Sequence, residues 1–234
     1  MENISKNAAA NTVSAVHQLD PTKYVRITEK PGAKLKVLFV GNSITRHMPL
    51  ESIGWTGDWG MAASCEEKDY VHQTVRLLEE KLGEPVDFCV AQLAEWERRY
   101  REGAAPLEEF YIPARDFAAD IVIIRIGENI NRDADHEVPC EPFYEEMVKF
   151  FVTDPDAQVI VTDNFWNIPQ LNVQFEAAAK KNGWTFVKIG DLEKDERTMA
   201  KGLFWHEGVA AHPSDYGMLK IAERLAGAVN KIVK

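Results

Sequence analysis

A mostly parallel β-sheet held between two layers of helices is the architecture that this 234-residue sequence predicts. Three observations carry the expectation. Strand-type apolar runs alternate with segments of helical spacing along most of the chain, the order that builds parallel βαβ units. The β-branched run Ile121-Val122-Ile123-Ile124 has the pattern of a strand covered on both faces. No repeat or low-complexity block interrupts the alternation, so it reads as one α/β domain with right-handed crossovers.

Residues 1–33 stand apart from that domain. They are polar, rich at first in Asn, Ala and Ser, and end in the turn signal Lys30-Pro31-Gly32-Ala33. Within them Tyr24–Thr28 alternates, as a short edge strand or an arm laid against the domain does. This segment reads as an N-terminal extension, and residues 34–234 as the domain itself.

Leu35–Val40 is the first strand of the domain. Tyr70–Leu82 places Val71, Val75, Leu78 and Leu82 at helical spacing, and Gly83-Glu84-Pro85 stops it. Val86–Leu93 is the second strand, followed by a Glu- and Arg-rich amphipathic stretch from Ala94 to Gly103 and a helical piece over Pro106–Phe117. The third strand is Ala119–Ile126. Pro142–Phe151 is helical, Gln158–Thr162 is a strand, and Leu171–Lys181 is a helix ended by Asn182-Gly183. Trp184–Ile189 is the fifth strand, and Asp215–Val233 closes the chain as a helix.

The bulk composition excludes several function classes. Twenty-seven basic against 37 acidic residues give a net charge of −10, which repels a phosphate backbone, and no Lys/Arg cluster reverses it locally; nucleic acid is not an expected partner. No apolar run is long enough to span a bilayer, and the start Met-Glu-Asn-Ile-Ser-Lys-Asn lacks the pattern of a secretory signal. Cys65, Cys89 and Cys140 are odd in number and share no short spacing, so free thiols in a reducing, cytoplasmic setting are expected. His47, His72, His136 and His206 lack metal-type spacing and HExxH is absent, so neither a metal nor a cofactor is expected.

Three short pieces carry chemistry. Lys36–Val40 ends abruptly in Gly41-Asn42-Ser43, which sets a serine hydroxyl at the carboxyl end of a buried strand, where open α/β sheets bind ligands. Such a serine is either a helix cap or, given a base, a nucleophile. Gly127-Glu128-Asn129 follows the third strand and belongs on the same sheet edge, where the Asn129 carboxamide can donate to an oxyanion or simply form a loop turn. His212-Pro213-Ser214-Asp215 opens the last helix, and a histidine so confined suits general base work. Gly60, in Gly57-Asp58-Trp59-Gly60, could bring a further backbone N–H to the site. The turn is not Gly-x-Ser-x-Gly, which argues against an α/β-hydrolase elbow.

Taken in order, these pieces resemble the SGNH hydrolases, or GDSL-type esterases and lipases, over residues 35 to 232. Ser43 resembles the serine block, Gly60 the glycine block, Asn129 the asparagine block and His212 the histidine block. The resemblance implies a three-layer α/β/α, flavodoxin-like fold with a mostly parallel five-stranded sheet. It also implies a small-molecule ester as substrate, acetyl on a carbohydrate being the class it points to. In that mechanism Ser43 attacks, His212 takes the proton, and the Ser43 and Gly60 N–H groups with Asn129 hold the oxyanion. Trp59, Glu128 and Trp166 are candidate substrate contacts, and Trp55, Trp59, Trp166 and Trp205 are compatible either with stacking on sugar rings or with core or lid packing. One departure stands out: the family carries an aspartate three residues before the histidine, and here that residue is Val209. Glu207 as a displaced acid, or a backbone carbonyl in a Ser–His dyad, is left to orient His212. A binding domain without turnover and a flavodoxin-like signalling or nucleotide-binding domain are the competing readings.

Overall fold

The computed structural model describes residues 23–233. Its strands are β1 (Val25–Thr28), β2 (Leu35–Gly41), β3 (Val86–Gln92), β4 (Ile121–Arg125), β5 (Gln158–Thr162) and β6 (Thr185–Val187). Its helices are α1 (Tyr70–Leu82), α2 (Ala94–Arg99), α3 (Ala105–Phe110), α4 (Ile112–Asp116), α5 (Arg132–Glu137), α6 (Glu141–Phe151), α7 (Pro169–Asn182), α8 (Glu207–Ala210) and α9 (Asp215–Ile232), with short 3-10 turns between some of them.

The sheet runs β1-β3-β2-β4-β5-β6, and β2 to β6 are all parallel. Strand alternation divides each central strand between two cores. Leu38, Val40, Val122 and Ile124 face Trp96, Tyr144 and Phe175 on one side. Val37, Phe39, Ile121 and Ile123 face Tyr70 of α1 and Met218, Ile221 and Leu225 of α9 on the other. That is the three-layer arrangement expected.

The sheet differs from the expected five strands by one. β1 pairs antiparallel with β3, Val25 opposite Ala91 and Thr28 opposite Phe88. Val25 is buried, and Tyr24 packs its ring 4.7 Å from Phe110. Part of the segment read as an extension therefore closes the sheet edge, while residues 1–22 of it lie outside the described residues. The helix expected over Pro106–Phe117 is two, α3 and α4, because Pro113 has no N–H to continue the ladder and opens a new helix instead. β6 is shorter than Trp184–Ile189. Among the described residues no helix is long and apolar enough to cross a membrane.

The strand order reverses at β2. The chain leaves β2 for β3 on one side and later returns to β4 on the other, so the carboxyl ends of β2 and β4 flank the crevice where open α/β sheets bind ligands. Ser43 follows β2, and Asn129 follows β4.

Candidate active site

Gly41 makes the exit from β2 possible. A Cβ there would lie 1.7 Å from Thr45 Oγ1 and 3.1 Å from the Arg125 carbonyl, so only glycine lets the turn fold back against the strand. The Asn42 carbonyl then accepts from Thr45 N at 2.9 Å and Arg46 N at 3.0 Å, a single turn that does not continue as a helix. Thr45 Oγ1 and the Tyr70 hydroxyl, 2.7 Å apart, tie this turn to α1. Ser43, half-buried, is held from its other side by Met61 N, which donates to its carbonyl at 2.9 Å.

His212 meets this serine from a distant part of the chain. Its Nε2 lies 2.9 Å from Ser43 Oγ, across 169 residues of sequence. The backbone of His212 is pinned at both ends: its N–H donates to Val209 O at 3.0 Å and its carbonyl accepts from Ala200 N at 2.9 Å. Ser214 caps α9 two residues later, accepting from Gly217 N. Nδ1 lies 2.7 Å from the Gly208 carbonyl. A carbonyl only accepts, so Nδ1 carries the proton and Nε2 faces Ser43 as the acceptor, the tautomer a general base needs. The Trp166 ring stands edge-on to the imidazole at 5.1 Å, and its Nε1 donates to Ala211 O at 3.2 Å. Burial pushes the His212 pKa down to about 4, against a smaller upward pull from the Gly208 carbonyl.

Asn129 completes the group. Its Nδ2 donates to Glu97 Oε2 at 2.6 Å, and the residue lines the same cavity as Ser43 and His212. The bond to Glu97 uses one of the two N–H groups on that amide nitrogen. The cavity has a volume of about 510 Å³, within the ordinary range for small-molecule sites, and Met48, Leu50, Ile53 and Met61 form an apolar wall beside the serine.

Solved structures with this architecture exist. A lipase from a goat rumen metagenome superposes with a TM-score of 0.52 at 18% identity, covering 83% of this chain and 97% of its own. A lipase/acylhydrolase from Enterococcus faecalis gives 0.55 at 13%, covering 86% and 98%. A family two carbohydrate esterase from Cellvibrio japonicus gives 0.54 at 13%, covering 87% and 62%. The chain has the SGNH hydrolase fold. No family model matches its sequence, and no curated protein does.

Within the SGNH fold the other candidate residues fall in different places. Glu207 is exposed on α8, and His212 Nδ1 donates instead to the neighbouring Gly208 carbonyl. Gly60 is buried against the Ile44 carbonyl, and its N–H donates to Asp69 Oδ2 at 3.2 Å. It does not line the cavity, whereas Ala94 does. Trp59 gives its Nε1–H to Ala63 O at 2.9 Å and packs edge-on to Trp55. Glu128 turns inward: Oε1 accepts from Arg125 Nη1 at 2.6 Å and Phe165 N at 3.1 Å, and Oε2 accepts from Asn42 Nδ2 at 2.6 Å. Trp59 and Glu128 thus build the walls behind the site, and Trp166 braces the imidazole.

Two residues near the site went unrecognised in the sequence. Glu97 and Arg125 are fully buried and join Asn42, Glu128 and Asn129 in one polar network, with Arg125 Nη2 also donating to Asn42 Oδ1. Burial and the nearby Glu128 charge push the Glu97 carboxyl up. At Glu128 burial pulls the same way, but the Arg125 charge and the donors from Asn42 and Phe165 outweigh it, and its carboxyl is held down. Of the four tryptophans offered as sugar-stacking candidates, Trp205 differs in its exposure. It is 74% exposed, its Nε1 against Gly54 and its ring 5.5 Å from that of His206, which lines the cavity. Cys65, Cys89 and Cys140 are all free thiols.

Proposed function

We propose that this protein is an SGNH-family serine ester hydrolase that removes short acyl groups, acetyl foremost, from a small ester through a Ser43–His212 dyad. The observation that carries the reading is the 2.9 Å contact of Ser43 Oγ with His212 Nε2, made while Nδ1 is held at 2.7 Å by the Gly208 carbonyl. That carbonyl does the orienting work of the missing carboxylate. Ser43 Oγ attacks the ester carbonyl as Nε2 takes its proton; the tetrahedral oxyanion is met by the Asn129 amide and the Ser43 N–H. Ala94, which lines the cavity at the first position of α2, is the residue whose backbone N–H takes the part first given to Gly60. The imidazolium then protonates the leaving alcohol, and the neutral ring activates water to release the acyl group.

A displaced carboxylate is not part of this mechanism. Glu207→Ala is expected to change kcat/KM for p-nitrophenyl acetate by less than about threefold, because truncating an exposed side chain leaves the Gly208 carbonyl in place. A loss of a hundredfold or more would return Glu207 to the triad.

A carbohydrate as the alcohol is supported by Trp205. Trp55 is buried and Trp59 and Trp166 are committed to backbone acceptors, whereas the Trp205 indole is exposed beside His206, a residue of the cavity lining. A sugar ring stacked there would place an O-acetyl group over the cavity. Trp205→Ala is expected to raise KM for an acetylated oligosaccharide about tenfold, the equivalent of ~1.4 kcal/mol, with kcat and aryl acetate hydrolysis unchanged. The reading as a whole is tested by incubating the protein with a serine-directed phosphonate, mapping the adduct by mass spectrometry, and assaying a panel of aryl esters and acetylated sugars. An adduct on Ser43 with turnover supports it. Sugar binding without adduct or turnover would make the protein a binding domain.

A further inference from the structure

We infer that Glu97 is a positioning residue, which fixes the Asn129 carboxamide as an oxyanion donor; the inference rests on the esterase reading above. Glu97 belongs to α2, whose charged Glu95 and Arg98 line the cavity, yet its own side chain is fully buried. Its Oε1 accepts from Gly127 N at 2.6 Å and Asn42 Nδ2 at 3.1 Å, with Asn129 N at 3.5 Å, and its Oε2 accepts from Asn129 Nδ2 at 2.6 Å. One carboxylate thus joins the turn that carries the nucleophile to the turn that carries the oxyanion donor.

The chemistry of the partners makes the arrangement directional. Donors converge on both Glu97 oxygens, and in its ionised form a carboxylate only accepts, so the Asn129 amide presents its NH2 and not its oxygen to it. One N–H is then spent on Oε2, and the other N–H of that nitrogen serves the cavity. Oxyanion donors act through preorganisation, being aimed before charge develops. An Asn129 free to turn over would offer its carbonyl to the oxyanion for part of the time and repel it. Arg125 and Glu128 support the same geometry from behind, since Asn42 is held by both of them as well as by Glu97.

The test is Glu97→Gln, close in shape but carrying an NH2 group of its own. With its oxygen kept on Gly127 N and Asn42, its NH2 faces the Asn129 NH2, and the Asn129 carboxamide turns over to relieve the clash of donors. The expected result is a fall in kcat for p-nitrophenyl acetate of about 10²-fold with KM within twofold, matching the loss in Asn129→Ala. The double variant Glu97→Gln/Asn129→Ala is expected to be no slower than Asn129→Ala alone, because both changes remove one donor. A purely structural role predicts losses that multiply. Glu97→Asp, acceptor-only on a shorter arm, is expected to retain more kcat than Glu97→Gln and provides the comparison should the Gln variant not fold. Wild-type kcat in Glu97→Gln, multiplying losses, or kcat that merely follows melting temperature across the variants would overturn the positioning role alone. Absence of any Ser43-dependent hydrolysis in the wild type would remove the esterase reading, and this role with it.

Discussion

Ser43→Ala is expected to lower kcat for short-chain esters by about 10⁴-fold or more and to abolish phosphonate labelling. The size of the effect follows from what the hydroxyl does. It is the atom that forms the acyl-enzyme, and its removal leaves only a water held near His212, with the oxyanion donors contributing what they can. Stability is expected to stay within about 2 °C in melting temperature, because the side chain is half-buried and the turn is held by other groups: Asn42 O, the Met61 N–H and the Thr45–Tyr70 pair. Rates are read with p-nitrophenyl acetate, and melting by circular dichroism. A variant that keeps a tenth of wild-type kcat while melting normally would remove Ser43 from the mechanism.

Much of this site was legible because its members sit at element boundaries. A strand covered on both faces leaves a continuous apolar run, so its end is sharp in the sequence, and Ser43 and Asn129 lie just past two such ends. His212 stands two residues before the Ser214 cap of α9, also a visible boundary. Glu97 was missed because it sits among surface charges of both signs. The trace it left is positional: Leu93, Trp96, Glu97 and Tyr100 share one helical stripe, and the three neighbours are buried apolar residues. A carboxylate on that stripe marks a buried acceptor. The Gly208 carbonyl has no such trace, since a backbone group carries no residue signature; Val209 announced the vacancy and not its occupant. Val209 is itself buried with Trp55, Met61, Ala62 and Ala200, so an apolar contact has taken the place of an acid. Gly60 shows the converse failure. Its surroundings demand a glycine, a Cβ there coming within 2.6 Å of Ile44 O, but for packing and not for a donor. Among the tryptophans, Trp205 is set apart by exposure alone, which no residue pattern encodes.

The dyad also predicts where the enzyme fails in acid. His212 acts as a base only when neutral, and burial holds its pKa down at about 4. The kcat/KM profile is therefore expected to be flat from pH 8 to about pH 5, to reach half its plateau near pH 4, and to fall tenfold per unit below that. A buried carboxylate on Nδ1 would have favoured the imidazolium and lifted the limb towards neutrality; the Gly208 carbonyl, a neutral dipole, offsets burial only in part. The same shift governs stability, with the sign set by which state binds more protons. Between about pH 4 and the ordinary value of 6.5 the unfolded chain holds a proton on this histidine that the folded chain excludes. Its contribution to stability is therefore complete above pH 6.5 and is lost as pH falls towards 4, on the order of 3 kcal/mol in all. Urea unfolding of the wild type and His212→Asn across pH 4 to 7 separates this from the carboxylates, which titrate in both proteins: the difference in slope between them should lie in that window. An acid limb centred near pH 6.5, or parallel stability curves, would mean that the imidazole is solvated or held by an acid, and the Gly208 carbonyl would lose its place in the mechanism.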